Sequence, residues 1–205
     1  MRWVVSLLLA FLAGGAALYW QTDGFTALTA EDARRNEIAA NPRPVPAVQV
    51  FDEHGASLSL LDDLHTDGRV AIVNFFYTRC MSLCLAQGSQ AQSLQRAIDE
   101  RGLSHRVRLL SISFDPRERA QDLSRYAQRM NAQANVWEFL SLPDATQRAQ
   151  MLSLFGIIVI PAPLGEFEHN AAFHVVTPEG RLARVVSMDE PGLALEVAQA
   201  LSGAR

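Results

Sequence analysis

The chain has 205 residues and two cysteines, Cys80 and Cys84. On a helix, positions i and i+4 share a face, so both sulfurs could address one atom. The residues from Leu85 onward read as a helix, which sets the pair at a helix N-terminus. There the dipole and the free amides favour thiolate, and Arg79 adds a positive charge next door. Thiolate attacks disulfides and also binds soft metals, so the pair alone leaves a redox dithiol and a metal site equally open. Two thiolates favour Cu(I) or Zn and call for a third ligand. The candidates are His54, His65, His105, His169, His174 and Met81.

The apolar run that begins at Val70 and ends in this polar corner predicts a strand buried on both faces. Before it, residues 48–51 and 57–61 read as a hairpin about a turn at 52–55, and 60–64 as a short connector. After it come a helix over 87–101 ended by Gly102, a strand over 107–114 and a helix over 118–130. A strand over 136–142 follows, then a helix N-capped by Asp144, running to Phe155 and stopped by Gly156. Residues 157–168, rich in Pro and Gly, read as a long loop. Strands over 172–176 and 181–187 flank a turn, and residues 191–201 form a closing helix. Alternating strands and helices make a parallel sheet, and the final hairpin adds antiparallel strands. The predicted fold is α/β and thioredoxin-like, with an extra N-terminal β-hairpin. In that plan the loop before strand 172–176 faces the cysteine corner, which makes His169 the best third ligand. His174 falls inside the strand and reads as structural, while His54, His65 and His105 read as surface residues.

Composition bounds the rest. At 49% hydrophobic and 20% charged, the chain has enough apolar content for a globular core. A net charge of −4 without a basic stripe argues against nucleic acid as a partner. The chain contains no lysine, which reads as codon bias. Residues 3–20 are uncharged, and as a helix they would span roughly 27 Å, near the bilayer core of about 30 Å. Trp3, Tyr19 and Trp20 suit the two interfaces, and Arg2 puts the N-terminus in the cytoplasm. A single transmembrane helix is expected, rather than a signal peptide cleaved near Gly15-Ala16-Ala17, because aromatic residues stand where cleavage needs small ones. The expected organisation is an anchor over 1–20, a polar and Pro-rich tether over 21–46 and a thioredoxin-like domain over 47–205. The expected location is the inner membrane, with the domain in the periplasm.

Three stretches carry a family resemblance. They are Val73-Asn74-Phe75-Phe76-Tyr77-Thr78-Arg79-Cys80 with Cys84, then Ser111-Ile112-Ser113-Phe114-Asp115-Pro116, then His169 with Phe173 to Gly180. Together they resemble the SCO/SenC family of membrane-anchored, thioredoxin-like copper proteins. That resemblance implies copper as the bound metal, as Cu(I), Cu(II) or both, with Cys80, Cys84 and His169 as its ligands. It implies a role in assembling the dinuclear copper site of cytochrome c oxidase subunit II. The pattern departs from the family where Met81 and Leu85 replace prolines, Glu168 replaces an Asp and His174 replaces a Tyr. Asp115 is expected beside the site rather than on the metal, since a carboxylate matches Cu(I) poorly.

The leading reading is therefore a periplasmic copper chaperone. Its partners would be a cuproprotein recipient such as subunit II and an upstream copper donor or thiol reductant. An exported thiol–disulfide reductase, working through Cys80 and Cys84 on a partner's copper-binding cysteines, is the alternative. A peroxiredoxin-like peroxidase and a binding module with an inert cysteine pair leave His169 unexplained.

Overall fold

A computed structural model describes residues 2–22, 24, 29–79 and 83–203, without the side chains at positions 18, 21 and 83–86. The chain divides into two compact units, Met1–Asn41 and Pro42–Arg205. The first holds helices α1 (Arg2–Gln21) and α2 (Ala30–Ala40). A capping box starts α2: the Thr29 hydroxyl accepts from the Asp32 N–H, and the Asp32 carboxylate accepts from the Thr29 N–H, each at 3.1 Å. Among the described residues, no helix is long and apolar enough to cross a membrane.

The second unit opens with β1 (Arg43–Pro44), β2 (Gln49–Asp52), β3 (Ser57–Ser59), α3 (Leu60–Asp67) and β4 (Val70–Phe76). It continues with α4 (Leu83–Glu100), β5 (Val107–Ser113), α5 (Ala120–Arg129), β6 (Trp137–Ser141) and α6 (Ala145–Phe155). It ends with β7 (Val159–Pro161), β8 (Phe167–His169), β9 (Ala172–Thr177), β10 (Arg181–Ser187) and α7 (Pro191–Gly203). Eight strands form one sheet in the order β1-β10-β9-β4-β5-β6-β2-β3. Its centre, β4-β5-β6, is parallel. Antiparallel β9 and β10 extend one side, and the β2–β3 hairpin extends the other. This is the thioredoxin-like plan with its N-terminal hairpin.

Every residue of β4 and β5 is buried, as expected of strands covered on both faces. Phe76 meets Tyr126 of α5 at 4.8 Å between ring centroids, and Phe75 meets Phe155 of α6 at 5.0 Å. Consecutive strand residues point to opposite faces, so α5 and α6 cover opposite faces of the sheet. α4 runs close to α5 at Gly88, where a Cβ would stand 2.8 Å from Met130 Sδ. The one amide side chain in β4, Asn74, is buried but satisfied. Ser111 Oγ donates to its Oδ1 at 2.7 Å, and the Trp137 indole N–H donates to Ser111 Oγ at 2.8 Å.

Several elements differ from expectation. Residues 60–64 begin a full helix, α3: Ser59 caps it, Gly68 closes it in the left-handed region (φ 75°), and Leu60 and Leu64 are buried one turn apart. The expected spacer at 43–46 contributes β1, which pairs with β10, and the Val45 N–H donates to Gly180 O at 2.8 Å. Proline is tolerated there because β1 is the edge strand. The largest correction concerns 157–168. Instead of a loop, β7 and β8 form a two-stranded hairpin, so His169 sits at the end of a strand. Proline normally argues against a strand, but Pro161 ends β7 and the turn begins beyond it.

Candidate metal centre

Cys80, Met81 and Ser82 lie outside the described residues; Cys84 is the second residue of α4, and its side chain also lies outside them. α4 begins at Leu83, so Cys84 stands in its first turn, where the dipole favours thiolate. The approach to the corner is well defined. β4 ends at Phe76, and Tyr77, Thr78 and Arg79 lead from it to Cys80. The Thr78 N–H donates to Glu118 Oε1, and Arg129 Nη2 donates to Thr78 O at 3.3 Å. Glu118 is buried, and that burial pushes its carboxyl above the usual range.

Arg79 and Arg117 converge on Asp115. Arg79 Nη2 donates to Asp115 Oδ2 at 2.7 Å; Arg117 donates from Nε to Oδ1 and from Nη2 to Oδ2, each at 2.8 Å. Burial pushes the Asp115 carboxyl up, but the hydrogen bonds from Arg117 and Arg79 outweigh it and hold the group below its ordinary value. A carboxylate forked between two guanidiniums has few lone pairs left for a metal. Asp115 is thus a tie between the cysteine corner and the end of β5. Arg117 extends the tie: its Nη2 donates to Gly165 O at 2.7 Å, and its guanidinium lies 5.2 Å from the Phe167 ring centre.

His169 occupies the other side. On β8 it shares a face with Phe167, while Glu168 points away and is exposed. The imidazole packs edge-on against Phe114 at 4.9 Å and against Tyr77 at 6.1 Å. Its Nδ1 lies 2.8 Å from Asn170 O. A carbonyl only accepts, so Nδ1 carries the proton and Nε2 keeps the lone pair. Burial holds the ring below the ordinary histidine pKa, partly offset by the Asn170 hydrogen bond. Burial thus favours the neutral imidazole, the form in which histidine ligates metals. Asn170 also secures the base of the hairpin: its Oδ1 accepts from the Ile158 N–H at 2.7 Å and its Nδ2 donates to Gly156 O at 2.8 Å.

The remaining histidines sit elsewhere. His174 is fully buried in β9, with Nε2 at 3.0 Å from Phe155 O and Nδ1 at 3.3 Å from Val73 O, and its ring meets Phe75 and Phe155. It is a structural residue. His54 on the β2–β3 turn, His65 on α3 and His105 before β5 are exposed. Among the described residues, no three His, Cys, Asp or Glu side chains gather as a metal site; two of the three expected ligands are the cysteines beyond that description. Sequence reasoning had marked Asp115 but missed Tyr77, Arg117 and Asn170 as neighbours. Arg117 follows the Asp-Pro pair closely, but no local spacing links it to residue 165.

The family model described as SCO1/SenC matches residues 47–202. No curated protein sequence matches the chain. Among solved structures, BsSco is similar. It is a member of the Sco family of cytochrome c oxidase assembly proteins in which a disulfide switch has been identified. The identity is 21% over 80% of this chain and 96% of that one, with a TM-score of 0.68. ScoI of Bradyrhizobium japonicum with copper bound is 20% identical over 77% of this chain and 99% of its own, at a TM-score of 0.62. Yeast Sco1 with copper bound is 14% identical over 80% of this chain and 91% of its own, at a TM-score of 0.64. At such identities these likenesses establish a shared fold.

Proposed function

This chain belongs to the SCO1/SenC family, and we propose that it is a copper chaperone whose Cys80, Cys84 and His169 hold one copper ion for delivery to a cuproprotein. The proposed recipient is the dinuclear copper site of cytochrome c oxidase subunit II. Support comes from solved relatives that carry copper and from one that is an oxidase assembly protein. The observation that carries the reading for this chain is the state of His169. Its Nδ1 lies 2.8 Å from Asn170 O, burial favours its neutral form, and it packs on Tyr77 three positions before Cys80.

Two soft thiolates and one imidazole suit Cu(I), and the site would also take Cu(II). Three strong ligands leave a position open for a ligand of the recipient, so copper passes by stepwise exchange, with no net redox change. Arg79 and the start of α4 keep the cysteines as thiolates. Asp115 stays with its arginines. An upstream copper donor loads the site, or a thiol reductant returns the cysteines to the dithiol.

Residues 1–20 act in this reading as a single-pass anchor in the inner membrane, 21–46 as a tether and 47–205 as the periplasmic copper domain. Support comes from the uncharged run over 3–20 and the exposed apolar side chains of α1, among them Trp3, Phe11 and Trp20. Recovery of the full chain in the soluble fraction would rule the anchor out.

The deciding measurement is copper uptake by reduced protein. One copper per wild-type chain is expected, with most affinity lost in His169→Ala and in Cys80→Ser. Reduced wild type that fails to take up copper ends the chaperone reading. An exported thiol–disulfide reductase is the second reading, favoured by Arg79 beside Cys80 and by the placement of Cys84 in the first turn of α4. It requires dithiol–disulfide cycling that survives His169→Ala.

A further inference from the structure

Tyr77 directly follows β4, and its side chain is buried at 1% exposure. Its hydroxyl donates to Phe167 O at 3.1 Å and accepts from the Phe167 N–H at 3.2 Å. A single side-chain oxygen thus serves both backbone groups of one residue in β8. Pro161 and Phe167 form a non-hydrogen-bonded pair of the hairpin, since the next pair along is bonded through the Ala162 N–H and Glu166 O, so the Phe167 N–H and C=O point away from β7 and towards Tyr77. The ring is used as well. It meets Phe167 at 5.4 Å and Phe114 at 5.5 Å, and it flanks the His169 imidazole.

Among the described residues, three polar contacts hold the hairpin to the domain. Asn170 secures its base, Arg117 its tip through Gly165 O, and Tyr77 its middle. On the other side, Ile158, Ile160 and Leu164 face solvent, Leu164 completely. The hairpin is therefore an arm gripped from the inner side. Tyr77 grips β8 itself, two residues before His169, and it is also the residue through which β4 continues towards Cys80.

We propose that Tyr77 is a positioning residue for copper: its hydroxyl fixes the His169 arm against the strand that delivers Cys80, and so sets how tightly the third ligand is held and how readily it leaves. The inference rests on the copper reading above. A ligand strand held by two hydrogen bonds keeps its imidazole in place for binding, and once they are lost the arm swings away from the thiolates. Groups that hydrogen-bond a ligand directly change metal affinity by about 10- to 100-fold; Tyr77 acts one step further out, through the backbone of β8, which places its effect at the lower end.

The test is Tyr77→Phe, which keeps the ring and removes only the oxygen, made in the full chain in detergent alone and with His169→Ala. Cu(I) affinity and release rate are measured with a colorimetric Cu(I) chelator, and the nitrogen coupling of bound Cu(II) by electron paramagnetic resonance. The expected result is roughly tenfold weakening, faster copper release and altered nitrogen coupling in the single variant. In the His169→Ala background, Tyr77→Phe should add little. Wild-type affinity and release in Tyr77→Phe overturn the proposal. So does a loss of the same size in both backgrounds, which means general loosening of the domain. Full affinity in His169→Ala alone overturns the copper site itself, a different failure from wild-type behaviour of Tyr77→Phe beside a defective His169→Ala.

Discussion

Arg79 Nη2 and Asp115 Oδ2 stand 2.7 Å apart, with the carboxylate wholly out of solvent and about half of the guanidinium side chain exposed. This contact fastens the peptide just before Cys80 to the end of β5. It also means that the positive charge beside Cys80 is shared with a carboxylate, which Arg117 engages from its other side.

Arg79 should still lower the thiol pKa of its neighbour, because two guanidiniums outweigh one carboxylate. Replacing it with Gln is expected to slow alkylation of the cysteines by iodoacetamide at pH 7 by about 3- to 10-fold, as the thiolate fraction falls. The rate against pH, in reduced protein, reads this directly. An unchanged rate would mean that Asp115 has absorbed the charge.

Asp115 predicts a particular acid response. Its folded pKa is depressed, so the unfolded chain binds the proton more tightly. Its contribution to stability is therefore complete above the unfolded value of 3.8 and is lost as pH falls through the lower folded value. Urea unfolding of wild type and Asp115→Asn should show wild type more stable at pH 7, with the gap closing below about pH 4. A gap that persists at low pH would assign the effect to packing instead.

A second charge cluster lies at the opposite end of the parallel strands. Arg108, 1% exposed at its side chain, reaches Asp63 at 2.6 Å, Asp67 at 3.3 Å and Glu138 at 3.4 Å. Removing the cation takes the 2.6 Å partner from Asp63, while Arg69 still holds Asp67 at 2.7 Å and lies 3.8 Å from Glu138. Arg108→Met should cost about 3 kcal/mol of stability by denaturant melts while leaving copper stoichiometry unchanged. A loss of copper with stability intact would move a functional role to this end.

His169 and His174 should separate cleanly. His174→Ala removes a buried ring and leaves the Phe155 carbonyl without its donor, at a cost of about 2–4 kcal/mol. The folded variant should still take up one copper. His169→Ala should do the reverse, with a small change in melting temperature and a large loss of affinity. Equal copper loss in both would bring His174 into the site.

Much of this was readable along the chain. α6 shows why: Asp144 accepts from the Gln147 N–H and Gly156 closes the helix at φ 69°, both local signals. The β4 and β5 runs are apolar because both faces are covered, and continuous apolarity is visible without knowing what covers it. The β7–β8 hairpin was not readable. Its strands are three residues each, it carries prolines, and its stability comes from Tyr77, Arg117 and Asn170 rather than from its own periodicity.

The sequence by itself determined the order of elements, and it put forward Cys80, Cys84 and His169 as the proposed ligand set. Residue type and short spacing were enough for the cysteine pair, because thiolate chemistry and helix periodicity are local; His169 came from the expected fold plan and the family resemblance. The tertiary structure decided how His169 is presented: on a strand, half-buried so that the neutral form is favoured, with Nδ1 engaged by Asn170 and its arm gripped by the Tyr77 hydroxyl. It also decided that Asp115 is tied to Arg79 and Arg117. The Tyr77–Phe167 contact joins residues 90 positions apart, and burial and hydrogen bonding over such distances exist only once the sheet has brought β4 and β8 together.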